Sequence, residues 1–348
     1  TEEMQKNCHW IDQSSGFHLE LWDPALNKNS SAKYMASSLI EEAITSSQIE
    51  GAVTTIKDAK KMLLEMRKPK NTSEQMIYNN FITMQSIKEA CTHDLSMDLL
   101  LSLHRLITKD TVDSVEDEGR LRTPEDNVCV VTSHGEILFT PPKAEEIPKR
   151  LEALIRFAND KNDKPFIHPV VKAIILHFWM AYVHPFTDGN GRLARTLFYW
   201  YMLKHDYWLF EYTSISKTIL KRTTRYANAY LHSEHDDNDL TYFIHFHIDV
   251  IMDAVEELKK HILEEEEQNR QIRLKISKYP DLNIRQTSII QHALSHPDAV
   301  FTIKVHKNSN RISYQTARTD LLQLEEKKLL KSIKKGKTFY YVPVDNLN

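Results

Sequence analysis

The sequence predicts a mainly α-helical protein with one internal β-hairpin and a small α+β module at its C-terminal end. Three observations carry this. Only seven of the 348 residues are glycine, and long β-branched runs are few. Apolar residues recur at helical spacing through most of the chain. Strand-like runs are confined to two short regions, 127–140 and 300–344.

Taken in order, residues 1–30 read as irregular, with apolar points at Trp10, Phe17 and Trp22 and a turn at Asp23-Pro24. A helix is predicted over about 31–51. Met35, Leu39, Ile40, Ala43, Ile44 and Ser47 form its buried stripe, and Gly51 stands where a C-terminal cap belongs. Two helices follow near 55–67 and 73–91, with a break at Lys68-Pro69-Lys70 and a capping box at Thr72-x-x-Gln75. A helix over 96–109 carries a leucine stripe, and His104 beside it reads as a core histidine. Asn127–Val131 and Glu136–Thr140 read as strands around a turn at 132–135.

An amphipathic helix is predicted over 143–159, then a polar break to Lys164. Phe166-Ile167-His168-Pro169 leads into an apolar helix over 170–183. Lys172 and His177 interrupt that run, which falls short of the roughly 18 apolar residues a membrane span needs. It is a core helix, and no membrane is expected as a partner. His177 is assigned no chemistry. Helices over 214–233 and 240–270 complete this part. His232, His235 and Asp236, and again His245, His247 and Asp249, read as solvated surface rather than metal ligands, since His245 and His247 diverge on a helix. The acidic run Glu264–Glu267 and Tyr279-Pro280 mark a boundary.

Beyond Leu282 a helix over 285–294 is followed by a strand and turn over 300–307. An amphipathic helix from Ser313 to Leu324 comes next, then a basic hairpin over 331–344 turning at Lys335-Gly336. Residues 281–348 hold 11 Lys/Arg against 6 Asp/Glu, whereas the whole chain carries −3. The chain as a whole is therefore no nucleic-acid polycation, but this segment is basic. The three cysteines, Cys8, Cys91 and Cys129, are odd in number and form no Cys-x-x-Cys. That argues against a disulfide framework and for a reducing compartment. The chain shows no signal-peptide pattern, so a cytoplasmic location is expected.

The chemistry concentrates in His184-Pro185-Phe186-Thr187-Asp188-Gly189-Asn190-Gly191-Arg192-Leu193-Ala194-Arg195. Two of the seven glycines flank Asn190 between two apolar helices. They read as a tight loop feeding a helix N-terminus, which suits phosphate. Arg192 and Arg195 share a helix face. Asp188 supplies an oxygen ligand of the kind that holds Mg²⁺ beside phosphates. His184 is the natural base near neutral pH. Together these residues point to phosphoryl or nucleotidyl transfer.

This stretch resembles the signature of the Fic-domain family, His-x-Phe-x-Asp-Gly-Asn-Gly-Arg-x-x-Arg, with all eight specified positions present in twelve. The resemblance implies an all-helical fold with a β-hairpin flap, here at about 127–141. It implies ATP and Mg²⁺, and transfer of AMP to a Ser, Thr or Tyr hydroxyl of a target protein lying along the flap. In that reading His184 is the base and Asp188 holds the metal. Gly189, Asn190, Gly191, Arg192 and Arg195 bind phosphates, with the Asn190 side chain stabilising developing charge. The presence of Gly191 favours AMP transfer over phosphotransfer. Self-modification and a homodimer are among the expected partners.

Ser46-Ser47-Gln48-Ile49-Glu50-Gly51 resembles the family's inhibitory motif, with Ser46, Glu50 and Gly51 at its fixed positions. It implies that Glu50 pairs with Arg195 and blocks the place of the γ-phosphate, since one guanidinium serves a carboxylate or a phosphate but not both well. Removal of AMP, with Glu50 handling water, is the alternative reaction. Gly119-Arg120-Leu121-Arg122 resembles a family segment before the flap, and Arg122 reads as a structural ion-pair residue. Tyr226-Ala227-Asn228-Ala229-Tyr230 resembles the neighbourhood of the nucleoside; Tyr226 or Asn228 lines the adenine pocket, or the tyrosines pack the core.

The C-terminal module resembles a winged helix-turn-helix domain whose recognition helix carries Tyr314, Gln315, Arg318 and Thr319. DNA and protein remain alternative partners for it, and a nucleotide-sensing transcriptional regulator is the reading from a different class. The expected domains are 1–95, containing the inhibitory helix, 96–270 for the catalytic core and 271–348 for the winged module.

Overall fold

The structure is a computed structural model that describes residues 1–16, 24–131, 137–160, 165–296, 298–336 and 338–344. It is mainly helical, with two small antiparallel sheets. The chain divides into two compact units, Thr1–Leu258 and Lys259–Asn348.

The first unit begins with α1 (Glu2–Gly16) and α2 (Pro24–Ile49). The expectation of an irregular start is therefore corrected. Met4, Cys8 and Ile11 recur at helical spacing and are buried, a short stripe that the surrounding polar residues disguise. Phe17, Trp22 and Asp23 lie outside the described residues. α2 also starts before the expected residue 31. Next come α3 (Ile56–Leu64) and α4 (Thr72–Ala90). The cap of α4 is Asn71, whose side chain accepts from the Glu74 N–H at 2.9 Å, so the Thr72–Gln75 capping box is replaced by an earlier one-sided cap.

α5 (Met97–Thr108) is capped by Ser96 and buries Leu100, Leu103, His104 and Ile107. The hairpin pairs β1 (Val130–Val131) with β2 (Ile137–Phe139), and its register shifts between Val130 and Val131. Its turn, 132–136, lies outside the described residues. α6 (Ile147–Asn159) and α7 (Pro169–Val183) lead to the signature loop. Pro169 occupies the first turn of α7, where its missing N–H costs nothing. α8 (Asn190–Lys204) follows and is buried almost throughout, with Trp200, Tyr199 and Phe198 at 1% exposure or less. The expected helix over 214–233 is two, α9 (Ile215–Leu220) and α10 (Thr223–His235). α11 runs from Thr241 to Ile276, longer than expected.

α2 is held in the first unit by a buried carboxylate. Glu42, 2% exposed, accepts from the Tyr199 hydroxyl at 2.8 Å, the Ser214 hydroxyl at 2.9 Å, and both the hydroxyl and the N–H of Ser216. Four neutral donors on α8 and around α9 thus satisfy one charge, the condition for burying it.

The second unit holds α12 (Ile284–Ser295), α13 (Ile303–Asn310), α14 (Tyr314–Glu326), and a hairpin of β3 (Leu330–Lys335) with β4 (Thr338–Pro343). The strand expected over 300–307 is instead the helix α13, capped by the Thr302 side chain. Only Phe301 bridges to Tyr341 in strand fashion. Ile289, Ile290, Leu321, Leu324, Leu330 and Tyr341 make the core of this unit. Beneath it Asp320, 2% exposed, accepts from Asn283, Arg285 and His306.

Candidate active site

The signature loop is built by its own side chains. α7 ends on His184, whose φ of 47° places it in the left-handed region and turns the chain sharply. The Asn190 amide then closes the loop: its Oδ1 accepts from the Phe186 N–H at 3.0 Å and its Nδ2 donates to the Phe186 carbonyl at 2.9 Å. Where the sequence points to Asn190 at developing charge, the structure gives its side chain a bracing role: the oxygen and one N–H hold the loop, and the residue is 2% exposed. Phe186 is fully buried and stacks on His104 with centroids 3.6 Å apart. His104 also meets the Asp188 carbonyl at 2.9 Å and accepts from the Gly119 N–H at 3.0 Å. Burial lowers its pKa to about 4, so it is a neutral brace for the loop.

Gly189, at φ +79°, is the N-cap of α8. A Cβ there would meet the Thr108 methyl at 2.8 Å, so this position needs glycine for both space and conformation. Gly191 is needed for a different reason. A Cβ on it would lie 2.2 Å from Glu50 Oε1. The Glu50 carboxylate therefore rests against the first turn of α8, where unpaired N–H groups and the helix dipole favour an anion. Arg195, 1% exposed, donates to the same carboxylate at 2.8 Å and to the Ser46 hydroxyl and carbonyl at 2.8 and 2.9 Å. Gly51, at φ +91°, ends this segment.

His184 Nδ1 meets the Ala181 carbonyl at 3.1 Å. That contact consumes the Nδ1 proton and leaves Nε2 to accept one. Burial lowers the His184 pKa below the ordinary histidine value, against opposing effects of the Ala181 carbonyl and Glu50. Neutral imidazole is the form a base needs. Arg192 is fully buried and donates to Asp188 Oδ2 at 3.0 Å and to the Ile107 carbonyl at 3.0 Å. The two arginines thus have separate partners here: Arg192 orients Asp188, and Arg195 meets Glu50.

Asp188 is a fit for Mg²⁺ of a particular kind. Its side chain is 49% exposed, with its oxygens anchored by Arg192 and by the Gly189 N–H at 2.6 Å. Among the described residues no group of three or more His, Cys, Asp and Glu could hold a metal alone. A single oriented carboxylate matches Mg²⁺ bound largely through substrate phosphates.

Arg122 departs from the expected ion pair. Among the described residues it serves carbonyls instead: its Nε donates to His184 O at 2.7 Å, its Nη2 to Pro142 O, and its backbone N–H to Pro185 O at 2.9 Å. It ties the segment before the flap to the histidine.

Glu50, His184 and Gly191 line one end of a cavity of about 330 Å³. Val130, Leu138 and Phe139 of the flap line it too, as do Tyr226, Ala227, Tyr230, Leu231 and Glu234 of α10. Tyr226 both packs the core, near Phe243 and Phe246, and faces the cavity. Asn228 is exposed and not among the lining residues. The lining by Leu231 and Glu234 was legible only as the continuation of the Tyr226 face at helical spacing. His177 and His247 are fully buried behind this wall, their rings 4.7 Å apart. His177 meets the Tyr226 hydroxyl at 3.0 Å, and burial lowers the His247 pKa to about 3. The solvated reading of His247 is thus corrected.

In the second unit Tyr314, Gln315, Arg318 and Thr319 are all exposed on α14, at its N-terminal end.

Comparison with known proteins places this geometry. Residues 94–202 match the Fic/DOC family. The protein adenylyltransferase fic-1 of Caenorhabditis elegans is 36% identical over 116 residues, 33% of this chain and 21% of that one. The protein adenylyltransferase Fic of Nematostella vectensis is 28% identical over 137 residues, 39% of this chain and 28% of that one. The chain thus spans only about a fifth to a quarter of these relatives' length. A crystal structure of a Fic family protein from Desulfovibrio desulfuricans G20 superposes with a TM-score of 0.67 at 21% identity, covering 99% of this chain and 97% of that one. Fic-1 (residues 134–508) from C. elegans gives 0.61 at 19% identity, covering 76% and 74%. Fold and signature agree: the chain carries a domain of the Fic/DOC family.

Proposed function

We propose that the chain is a protein adenylyltransferase that moves AMP from ATP to a protein hydroxyl and is held off by Glu50. One observation carries this reading. A base-competent His184, Gly191 of the first turn of α8 and Glu50 line one cavity, and the Glu50 carboxylate, paired with Arg195 behind it, takes the anion position. The names of the partial relatives, protein adenylyltransferases, support it.

In the proposed reaction the target hydroxyl attacks the α-phosphorus and gives its proton to His184 Nε2. The new bond is oxygen to α-phosphorus; the bond to pyrophosphate breaks. Backbone amides at the start of α8 stabilise charge on the α-phosphate, and Arg195, once released from Glu50, meets the outer phosphates. Asp188, oriented by Arg192, would hold Mg²⁺, which supplies charge neutralisation across the phosphates when bound. The target lies along the flap, where Val131 and Ile137 are 50% and 66% exposed.

Incubating wild type and Glu50→Gly with ATP radiolabelled at either the α- or the γ-phosphate tests this. Protein labelled from the α-position, strongly only in the variant, is the expected result. Label from the γ-position would mean phosphotransfer. No label, but loss of label from a pre-modified target, would favour AMP removal with Glu50 directing water.

A second reading concerns the second unit. The exposure of Tyr314, Gln315, Arg318 and Thr319 on one helix end favours a DNA-reading helix beside a basic hairpin. Arg318→Ala should weaken DNA retention and leave labelling unchanged; a wild type that does not retain DNA refutes this arm.

A further inference from the structure

The far wall of the cavity holds a carboxyl that the reaction above does not use. On α10, Thr223, Tyr226, Ala227, Tyr230, Leu231 and Glu234 line the cavity. They are spaced 3, 1, 3, 1 and 3 residues apart, so they form one helical face. Tyr226 lies close enough to Arg195 to feel its charge. Glu234 stands eight residues further on, roughly 12 Å along the helix. That is of the order of the reach from a nucleotide's phosphates to the outer edge of its base. Val130 and Leu138 of the flap and Ala227 and Leu231 of α10 give the same cavity apolar lining of the kind that takes a flat ring.

We propose that Glu234 accepts a hydrogen bond from the amino group of a bound adenine ring, and so distinguishes adenine from a purine lacking that group. The proposal rests on the nucleotide reading of the cavity. Glu234 is half-buried and lines the cavity, and among the described residues no donor or cation acts on its carboxylate. Burial alone pushes its carboxyl up to about 7. A carboxylate that has lost water without gaining a donor is unfavourable, and a ligand N–H entering the cavity removes that penalty. A purine with hydrogen in place of the amino group leaves the carboxylate unpartnered. A ring carbonyl at the same place sets acceptor against acceptor. His184 and Glu50 lie at the other end of the cavity with the phosphates, so the acidic group at the base end acts on selection and not on chemistry.

The test uses the full chain with Glu50→Gly, which clears the anion position, and the same chain with Glu234→Ala or Glu234→Gln added. Binding of ATP and of purine riboside triphosphate, the same nucleotide without the amino group, is measured by calorimetry at mildly alkaline pH. Thermal melts establish that each variant is folded. Glu50→Gly should prefer ATP by about tenfold or more, the scale of a hydrogen bond to a charged acceptor. Glu234→Ala should bring the two affinities together, chiefly by weakening ATP, and Glu234→Gln should keep part of the preference through its amide oxygen. A preference that survives Glu234→Ala, or no preference in Glu50→Gly, overturns the assignment and leaves the nucleotide reading intact. Failure of Glu50→Gly to bind either nucleotide overturns both.

Discussion

Gly191 leaves the space that the Glu50 carboxylate fills: a Cβ on Gly191 would stand 2.2 Å from Glu50 Oε1. Gly191 is not at positive φ, so alanine suits its backbone. What must move is the end of a long side chain. Gly191→Ala should therefore keep the fold, with Tm within about 4 °C of wild type, while dislodging Glu50 from Arg195. The same methyl group stands where a phosphate would approach, so this variant should not gain the labelling seen in Glu50→Gly. Strong labelling by Gly191→Ala would show that the cradle tolerates a side chain.

Glu42 anchors the helix that carries Glu50. Replacing it with alanine leaves the buried Ser216 hydroxyl unpaired, at about 1–3 kcal/mol, while Tyr199 keeps the Thr213 carbonyl at 3.1 Å and Ser214 keeps a 3.5 Å contact with Thr45. The loss falls on the docking of α2. Glu42→Ala should raise amide exchange over residues 40–50 and raise labelling above wild type. Faster exchange with unchanged labelling would separate helix docking from the control of activity.

Asn190 and His184 should differ in kind. Asn190→Ala removes both hydrogen bonds that close the loop, and should lower stability by about 2 kcal/mol together with activity. In the Glu50→Gly background, His184→Ala should abolish labelling with little change in melting, since His184 is a half-buried residue at a helix end. Melts and ATP binding on the two variants decide this. An Asn190→Ala protein with wild-type stability would return that side chain to a role at the phosphates.

The pH profile follows from His184. Burial holds its pKa below the ordinary 6.5, and the base works in the neutral form. Labelling by Glu50→Gly should rise with pH through a value below 6.5 and then stay level. Glu50 is one of the groups that raise this pKa, so deleting it moves the limb further down. A limb in kcat/KM above 7 would mean that another group is the base.

Asp320 should control the second unit. Burial acts to raise its pKa, but Arg285, His306 and Asn283 outweigh this and hold it at about 2, against an ordinary 3.8. Because the folded pKa is the lower one, the stabilisation is complete above 3.8 and is lost as pH falls towards 2. Asp320→Ala should cost about 1–3 kcal/mol, since it leaves the Arg285 guanidinium, the His306 ring and the Asn283 amide without their shared acceptor. Urea melts at neutral pH check the magnitude, and melts across the acid range check the window.

Local chemistry made much of this protein readable. The loop from His184 to Arg195 was visible because glycines, a base and charged residues sit within twelve positions, and a helix before and after it followed from apolar spacing. α1 is not legible in the sequence, because three buried residues among polar neighbours make a weak period. α13 reads as a strand from sequence because Val300 to Lys307 is short, and short apolar runs suit either form.

The sequence by itself determined the mainly helical class, the loop with its set of reactive side chains, and the pairing of a glutamate-bearing helix end with that loop by resemblance. Tertiary structure alone decided which partner each polar group meets. Asn190 turned inward to Phe186, Arg122 to carbonyls, Arg192 to Asp188, and Glu42 to hydroxyls from elements more than 150 positions away. The reason is physical. Periodicity and turn chemistry act over a few residues, whereas a buried polar group takes its partner from whatever distant segment packing brings within 3 Å or so.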